Sequence, residues 1–218
     1  MTSIKNAHQL FHSMPVKPQE IIINMMEIFS KFSQPLLSRY GDDEISLMDD
    51  KADLRVIFIR EGCIDIWRNH DQLLVATAIG PAILGLQGSV FRYQTHTFKR
   101  QKNVDIHFLP LTTALDIIKE YDLFEDVLTY QAYMNDRQTY RDFLMINSSA
   151  YSIICMLLTE ISTYPHHKEI SVAQYISMRT RLARSGIMKI LSDLRFGGFI
   201  EMEKGKLIRL CNPFPLKY

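Results

Sequence analysis

The residues in this sequence best suited to do chemistry are cations near its C-terminal end. Arg179, Thr180, Arg181, Arg184, Ser185, Lys189 and Arg195 follow one another closely, and Lys204 and Lys206 flank Gly205. Guanidinium and ammonium groups bind phosphate oxygens, and Arg, Lys and Ser also hydrogen-bond to base edges. The set therefore points to recognition of nucleic acid. The charge distribution agrees. Residues 166–218 carry 10 Lys and Arg against 4 Asp and Glu, net +6, whereas residues 1–165 carry 15 against 20, net −5. A basic terminal module on an acidic body suits binding driven by counterion release. Charge alone does not separate this reading from a solvated cationic surface.

Other chemistries find less support. The sequence has no GxSxG elbow, phosphate loop, HExxH or CxxC, so an enzyme is not expected. Asp42, Asp43 and Glu44, then Asp49 and Asp50, form acidic runs of the kind found in solvated loops, and no metal is expected there. His166 and His167 beside Lys168 mark an exposed linker. Cys63, Cys155 and Cys211 are odd in number and far apart, which fits a reducing compartment better than a disulfide framework. Cys63, near Arg60, is the one candidate for a redox-sensing thiol, and ordinary packing is the competing reading for all three.

The elements that must carry these residues are legible in outline. Hydrophobic residues make up 47% of 218, enough for one large domain or two small ones. No secretory signal or membrane span is expected, which suggests a cytoplasmic protein. Ile22, Met25, Met26, Phe29 and Phe32 recur at helical spacing and predict an amphipathic helix over about 17–40. From 54 to about 110 the pattern becomes short strands. Residues 54–59 are apolar on both faces, Glu61-Gly62 and residues 69–72 are turns, and LLVATAI stops at Gly80-Pro81. ILGLQGSVFRY, THTFKR and VDIHFLP continue the series, so an antiparallel sandwich or roll is expected.

Helix returns after Pro110, with Thr112 or Thr113 as a cap and Leu115, Ile118 and Tyr121 on one face. A longer helix covers about 124–146, and residues 150–161 read as a buried helix. Within 170–211, helical patterns at 172–180 and 184–196 precede a hairpin around residues 203–206. Ile187, Ile190, Leu191 and Leu194 form the buried stripe of the second helix. Arg184, Ser185, Met188, Lys189, Ser192 and Arg195 form its other face, and Gly197-Gly198 ends it. Helix, helix, hairpin is a winged helix-turn-helix.

This order of parts resembles the catabolite-activator and fumarate-nitrate-regulator superfamily over about residues 20–211. It is closest to the enterobacterial branch named for inhibition of peroxide resistance (IprA). Gly62 resembles the first turn of the superfamily's β-roll, GPAILGL the entry to its phosphate cassette, and Arg184-Ser185-Gly186 the start of its reading helix. The sequence departs from the pattern at Leu86, where a glutamate is usual, and at Gln94-Thr95-His96, where an arginine-centred run is usual. Leucine cannot accept a ribose hydrogen bond and glutamine cannot neutralise a phosphate, so no cyclic nucleotide is expected. No cysteine precedes Cys63, against an iron–sulfur cluster, and His96 and His107 read as structural rather than as haem ligands.

The fold expected is therefore α+β: a cyclic-nucleotide-binding-like β-roll over residues 1–110, connecting and dimerisation helices over 111–165, and a winged helix-turn-helix over 166–218. The resemblance implies pairing through the helix at 124–146, with Phe124, Val127, Leu128, Met134 and Leu144 in the seam. Packing of that stripe on its own roll is the competing reading. The expected function is a DNA-binding transcription regulator linked to oxidative stress, without cofactor. Its partners would be double-stranded DNA, a second copy of the chain and RNA polymerase. The alternative is a protein-interaction or small-ligand-sensing module whose winged helix does not read DNA.

Overall fold

The computed structural model describes residues 14–36, 43–164 and 167–215. It divides into two compact units, Met1–Gln138 and Thr139–Tyr218.

In the first unit, helix α1 (Gln19–Ser30) buries Ile22, Met25 and Phe29 on one face. It is shorter than the periodicity predicts. Pro35 disfavours helical backbone at the residue before it, and Gln34–Pro35 instead forms strand β1, paired antiparallel with β8 (Asp105–Pro110). Residues 37–40 of the predicted helix lie outside the described residues. The remaining strands are β2 (Glu44–Ile45), β3 (Arg55–Glu61), β4 (Cys63–Arg68), β5 (Leu73–Ile79), β6 (Ala82–Leu84) and β7 (His96–Arg100). They form two antiparallel four-stranded sheets, ordered β1-β8-β3-β6 and β2-β7-β4-β5.

Strand β3 is apolar on both faces because both faces are covered. Ile57 and Ile59 join Ile64, Ile66 and Phe98 between the sheets. Val56 and Phe58 instead join Ile22, Phe29, Ile117 and Tyr130 in a second core under the helices.

Two local expectations are corrected. Val90–Thr95, read as part of a strand, forms the short helix α2. Its Val90 and Phe91 are exposed while Tyr93 packs on the inter-sheet core, so the period-2 alternation of a strand has no second face to cover. Helix α3 (Leu111–Glu120) uses neither Thr112 nor Thr113 as a cap. It starts directly at Pro110, and the Leu111 amide donates to the Leu54 carbonyl at 2.8 Å instead. Its buried face is Ala114, Ile117 and Ile118, whereas Leu115 and Tyr121 are exposed.

Helix α4 (Phe124–Asn147) is pinned to the roll by Tyr130. The Tyr130 hydroxyl donates to the Ile83 carbonyl at 2.7 Å and accepts from the Ile83 amide at 3.2 Å. A buried strand residue thus has both backbone groups satisfied by one side chain.

In the second unit, Ser149 caps helix α5 (Ala150–Ser162) by accepting from the Ser152 amide at 3.1 Å. The helix is apolar on nearly all sides and buries Ile154, Leu157, Leu158 and Ile161. A 3-10 turn (His167–Glu169), helix α6 (Val172–Arg179), helix α7 (Arg184–Phe196) and strands β9 (Ile200–Glu203) and β10 (Lys206–Leu210) follow. Lys204 and Gly205 both have positive φ, 49° and 79°, the backbone that a two-residue hairpin turn requires.

Candidate nucleic-acid interface

Helix α7 is divided lengthwise. Ile187, Ile190, Leu191 and Leu194 are buried, at spacings of three and four residues. Arg184, Ser185, Lys189, Ser192 and Arg195 are all exposed, and Met188 is about half exposed. Among the described residues, Arg184, Lys189 and Arg195 have no ion-pair partner, so their charges are available to something outside the chain. Ala183 occupies the N-cap position without a side-chain cap bond, and the Ile187 amide is the first to bond back, to the Ala183 carbonyl at 3.0 Å. The start of the helix therefore adds to the positive character of this face.

The hairpin places Lys204 in the open at its tip. Lys206 is half-buried, its backbone bridged to Ser171. Arg209 is engaged within the sheet, its Nε 2.7 Å from a Glu201 carboxylate oxygen.

Two residues expected to contact DNA lie elsewhere. Arg179 is 5% exposed and Thr180 8%. The Arg179 guanidinium stacks on the Tyr175 ring, 3.7 Å from its centroid. The Thr180 hydroxyl donates to the Ile176 carbonyl at 2.9 Å and holds the turn towards α7. Both support the turn. The four-residue spacing of Tyr175 and Arg179 on one helix is the signal in the sequence that could have shown it. Arg181 is exposed. Phe196, which the sequence pattern does not single out, is 98% exposed at the far end of α7. It falls eleven residues after Ser185, three helical turns along the same face.

A second tyrosine, Tyr164, supports α6 from just beyond the end of α5. The Tyr175 hydroxyl donates to the Tyr164 hydroxyl at 3.1 Å, and the Tyr164 hydroxyl faces Glu160 Oε1 at 3.4 Å. Burial above all, reinforced by the Glu160 charge, pushes the Tyr175 phenol far above its ordinary range, so it stays protonated as a donor.

The interior of the roll is filled in part by its own side chains. Gly85 has φ +96°, and a Cβ there would run into the Arg55 carbonyl oxygen. Tyr93 reaches inward from α2. Its hydroxyl donates to the Gly85 carbonyl at 3.1 Å, and its ring meets Phe98 edge-on at 6.3 Å. Leu86 packs on the core under the helices. The His107 ring sits between Ser33 Oγ at 3.2 Å and Asp105 Oδ1 at 3.6 Å, and His96 Nδ1 lies 3.0 Å from Thr95 Oγ1.

Cys63 is half-buried, and burial and then the Asp65 carboxylate hold its thiol above the ordinary value, with Lys17 opposing. Arg60, expected to activate it, faces Asp105 at 3.7 Å. Burial raises the Cys155 thiol to about 11. Cys211 is exposed. Among the described residues, no group of His, Cys, Asp and Glu could hold a metal ion, and no helix is long and apolar enough to cross a membrane. Asp42 and His166 lie outside the described residues.

Residues 150–216 match a family model described as winged helix-turn-helix DNA binding. Over 207 residues the chain is 27% identical to the inhibitor of hydrogen peroxide resistance of Escherichia coli strain K12, covering 90% of this chain and 99% of that protein. The global regulator CLP of Xanthomonas campestris, described as responsive to c-di-GMP, has a similar structure. Its TM-score is 0.62 at 14% identity, over 88% of this chain and all of that one. A putative regulator of the CRP/FNR family from Eubacterium rectale gives 0.57 at 13% identity, over 87% and 90% of the two chains. The chain has the CRP/FNR fold, ends in a winged helix-turn-helix of the DNA-binding type, and is similar over nearly its whole length to an inhibitor of hydrogen peroxide resistance.

Proposed function

We propose that this chain is a transcription regulator that binds double-stranded DNA, with α7 in the major groove and the tip of the β9–β10 hairpin on the sugar-phosphate backbone. The observation that carries the reading is the division of α7, whose aliphatic side is buried and whose cationic side is exposed. Arg184, Ser185 and Lys189 would meet base edges and nearby phosphates, and Arg195, Arg181, Lys204 and Lys206 would bind further phosphates. The name of the Escherichia coli relative suggests that the regulated genes concern oxidative stress. Tyr93 in the roll and Leu86 under the helices support a roll that works without cyclic nucleotide.

The active form in this reading is a homodimer, which would set two reading helices about 34 Å apart on a palindromic site. Phe124 and Leu128 on α4 are 64% and 54% exposed and suit a seam. Val127 and Met134 pack on their own roll core, so the expected seam is narrower than the apolar stripe. The chain acts in the cytoplasm, is not an enzyme, and has RNA polymerase as a further partner. Light scattering at micromolar concentration tests the dimer, and a monomer mass would refute it.

The test of DNA binding is fluorescence anisotropy with a labelled random-sequence duplex across a salt series. A steep fall of affinity with salt is expected. Arg184→Ala with Lys189→Ala should flatten the slope by about 2, near 0.9 for each phosphate that is no longer neutralised. No binding at low salt would favour a protein-interaction module.

A further inference from the structure

Helix α1 carries a second line of residues beside its buried stripe. Ile22, Met25 and Phe29 close the core, whereas Ile23, Met26, Glu27 and Ser30 follow one another at spacings of three and four along the next face. This second line borders a notch of about 180 Å³, which Phe58, Arg60, Pro81 and His107 also line. A cavity of about 150 Å³ is enough to hold a benzene ring. Phe58 pairs with His107 across β3 and β8 and belongs to the core under the helices, not to the one between the sheets. The notch thus lies on the outer face of the first sheet, apart from the roll interior and from α7.

Two opposite charges line this notch without meeting. Glu27 is exposed, and among the described residues its carboxylate has no hydrogen bond or ion pair. Lys31, one turn on, turns instead to the Tyr121 ring, 5.8 Å from its centroid. Arg60 is held loosely, its Nε 3.7 Å from an Asp105 oxygen, and an exposed pair of that length contributes little. The other polar groups are engaged. Ser30 Oγ donates to the Glu27 carbonyl at 2.9 Å, and the His107 ring lies between Ser33 and Asp105. Between the charges the lining is apolar, and Ile23 leaves 44% of its surface open to be covered. We propose that the notch binds a small apolar α-amino acid, with its ammonium on Glu27, its carboxylate on Arg60, and its side chain against Ile23, Met26, Phe58 and Pro81. A zwitterion answers both charges, which an amine or a carboxylic acid alone does not. The proposal does not depend on the DNA-binding reading of α7.

Calorimetric titration of the full chain with L-leucine, L-methionine and L-phenylalanine tests it. Each is compared with the amine and the acid that keep its side chain but only one of its charges. At least one amino acid should bind, and should raise the melting temperature by about 3 °C at ten times its dissociation constant. Its two half-ligands should each bind at least about fivefold more weakly. Glu27→Gln and Arg60→Gln should each weaken the amino acid by about fivefold, while the free variants melt within about 1 °C of the wild type, because both side chains are exposed. No binding by any of the three amino acids, or an amine or acid that binds as tightly as its parent, would overturn the proposal. Unchanged affinity in either variant would do the same, by placing the ligand elsewhere.

Discussion

The interior of the roll and the outer face of α7 use polar groups in opposite ways. In the roll, two tyrosine hydroxyls are turned back on the chain. Tyr93 answers the Gly85 carbonyl, and Tyr130, beneath the first sheet, answers both backbone groups of Ile83. On α7 the cations stand in solvent without an ion-pair partner among the described residues. A buried polar group without a partner costs free energy, whereas an exposed one costs almost nothing until a ligand arrives. The contrast teaches where to look for external partners. Arg179 sharpens it, because it lies a few residues from Arg184 in sequence yet behaves like the roll's interior, spent on the Tyr175 ring.

The comparison breaks first, and by the largest amount, through the cores. Ile64→Ala between the sheets and Ile187→Ala under α7 should each lower stability by about 2–5 kcal/mol in urea unfolding. Where both variants are still folded, only the Ile187 change should weaken DNA binding by more than twofold. Equal losses would show that the two regions are not separate in function.

Next comes Tyr130→Phe, which strands the Ile83 amide and carbonyl and should cost about 1–3 kcal/mol by the same measurement. A smaller change follows for the two arginines. Arg184→Ala should flatten the salt slope by about 0.9, while Arg179→Met should weaken binding with the slope unchanged. A flattened slope for Arg179→Met would place its guanidinium on a phosphate after all.

The smallest effect is a pH dependence within the roll. Burial, then repulsion from Arg137, lowers the Lys17 ammonium to about 8, with Cys63 opposing. Lys17 also donates to the Ile79 carbonyl at 2.7 Å. Between about pH 8 and the ordinary lysine value near 10.4, the unfolded chain binds more protons than the folded one, so Lys17 adds stability as pH rises through that window. Cys63, held above its ordinary value, contributes with the opposite sign. Lys17→Met should therefore lose the rising part, so its thermal stability relative to wild type should be poorer at pH 10 than at pH 7.5.

Much of this is legible in the sequence, for physical reasons. Strand β3 shows apolar residues on both sides because sheets and helices cover both. The stripe of Ile187, Ile190, Leu191 and Leu194 fixes the orientation of α7, and with it the outward placement of Arg184 and Lys189. Helix α2 is not legible, because its pattern of apolar residues reflects exposed Val90 and Phe91 rather than a covered strand face. The start of α3 misleads because a tertiary bond, from the Leu111 amide to Leu54, does the work of a local cap. The burial of Arg179 is hidden because charge predicts solvent and the aromatic partner that overrides it lies one helical turn back.

Tyr93 also marks the roll as a container that could be emptied. Truncating its ring to a methyl would leave a hollow about the size of phenol, edged by Phe98 and offering the Gly85 carbonyl as an acceptor. Phenol supplied from solution has the shape and the donor to refill it, so Tyr93→Ala should melt lower alone and recover with phenol. A scaffold whose own side chain mimics a guest is a natural starting point for a regulator answering to an added molecule.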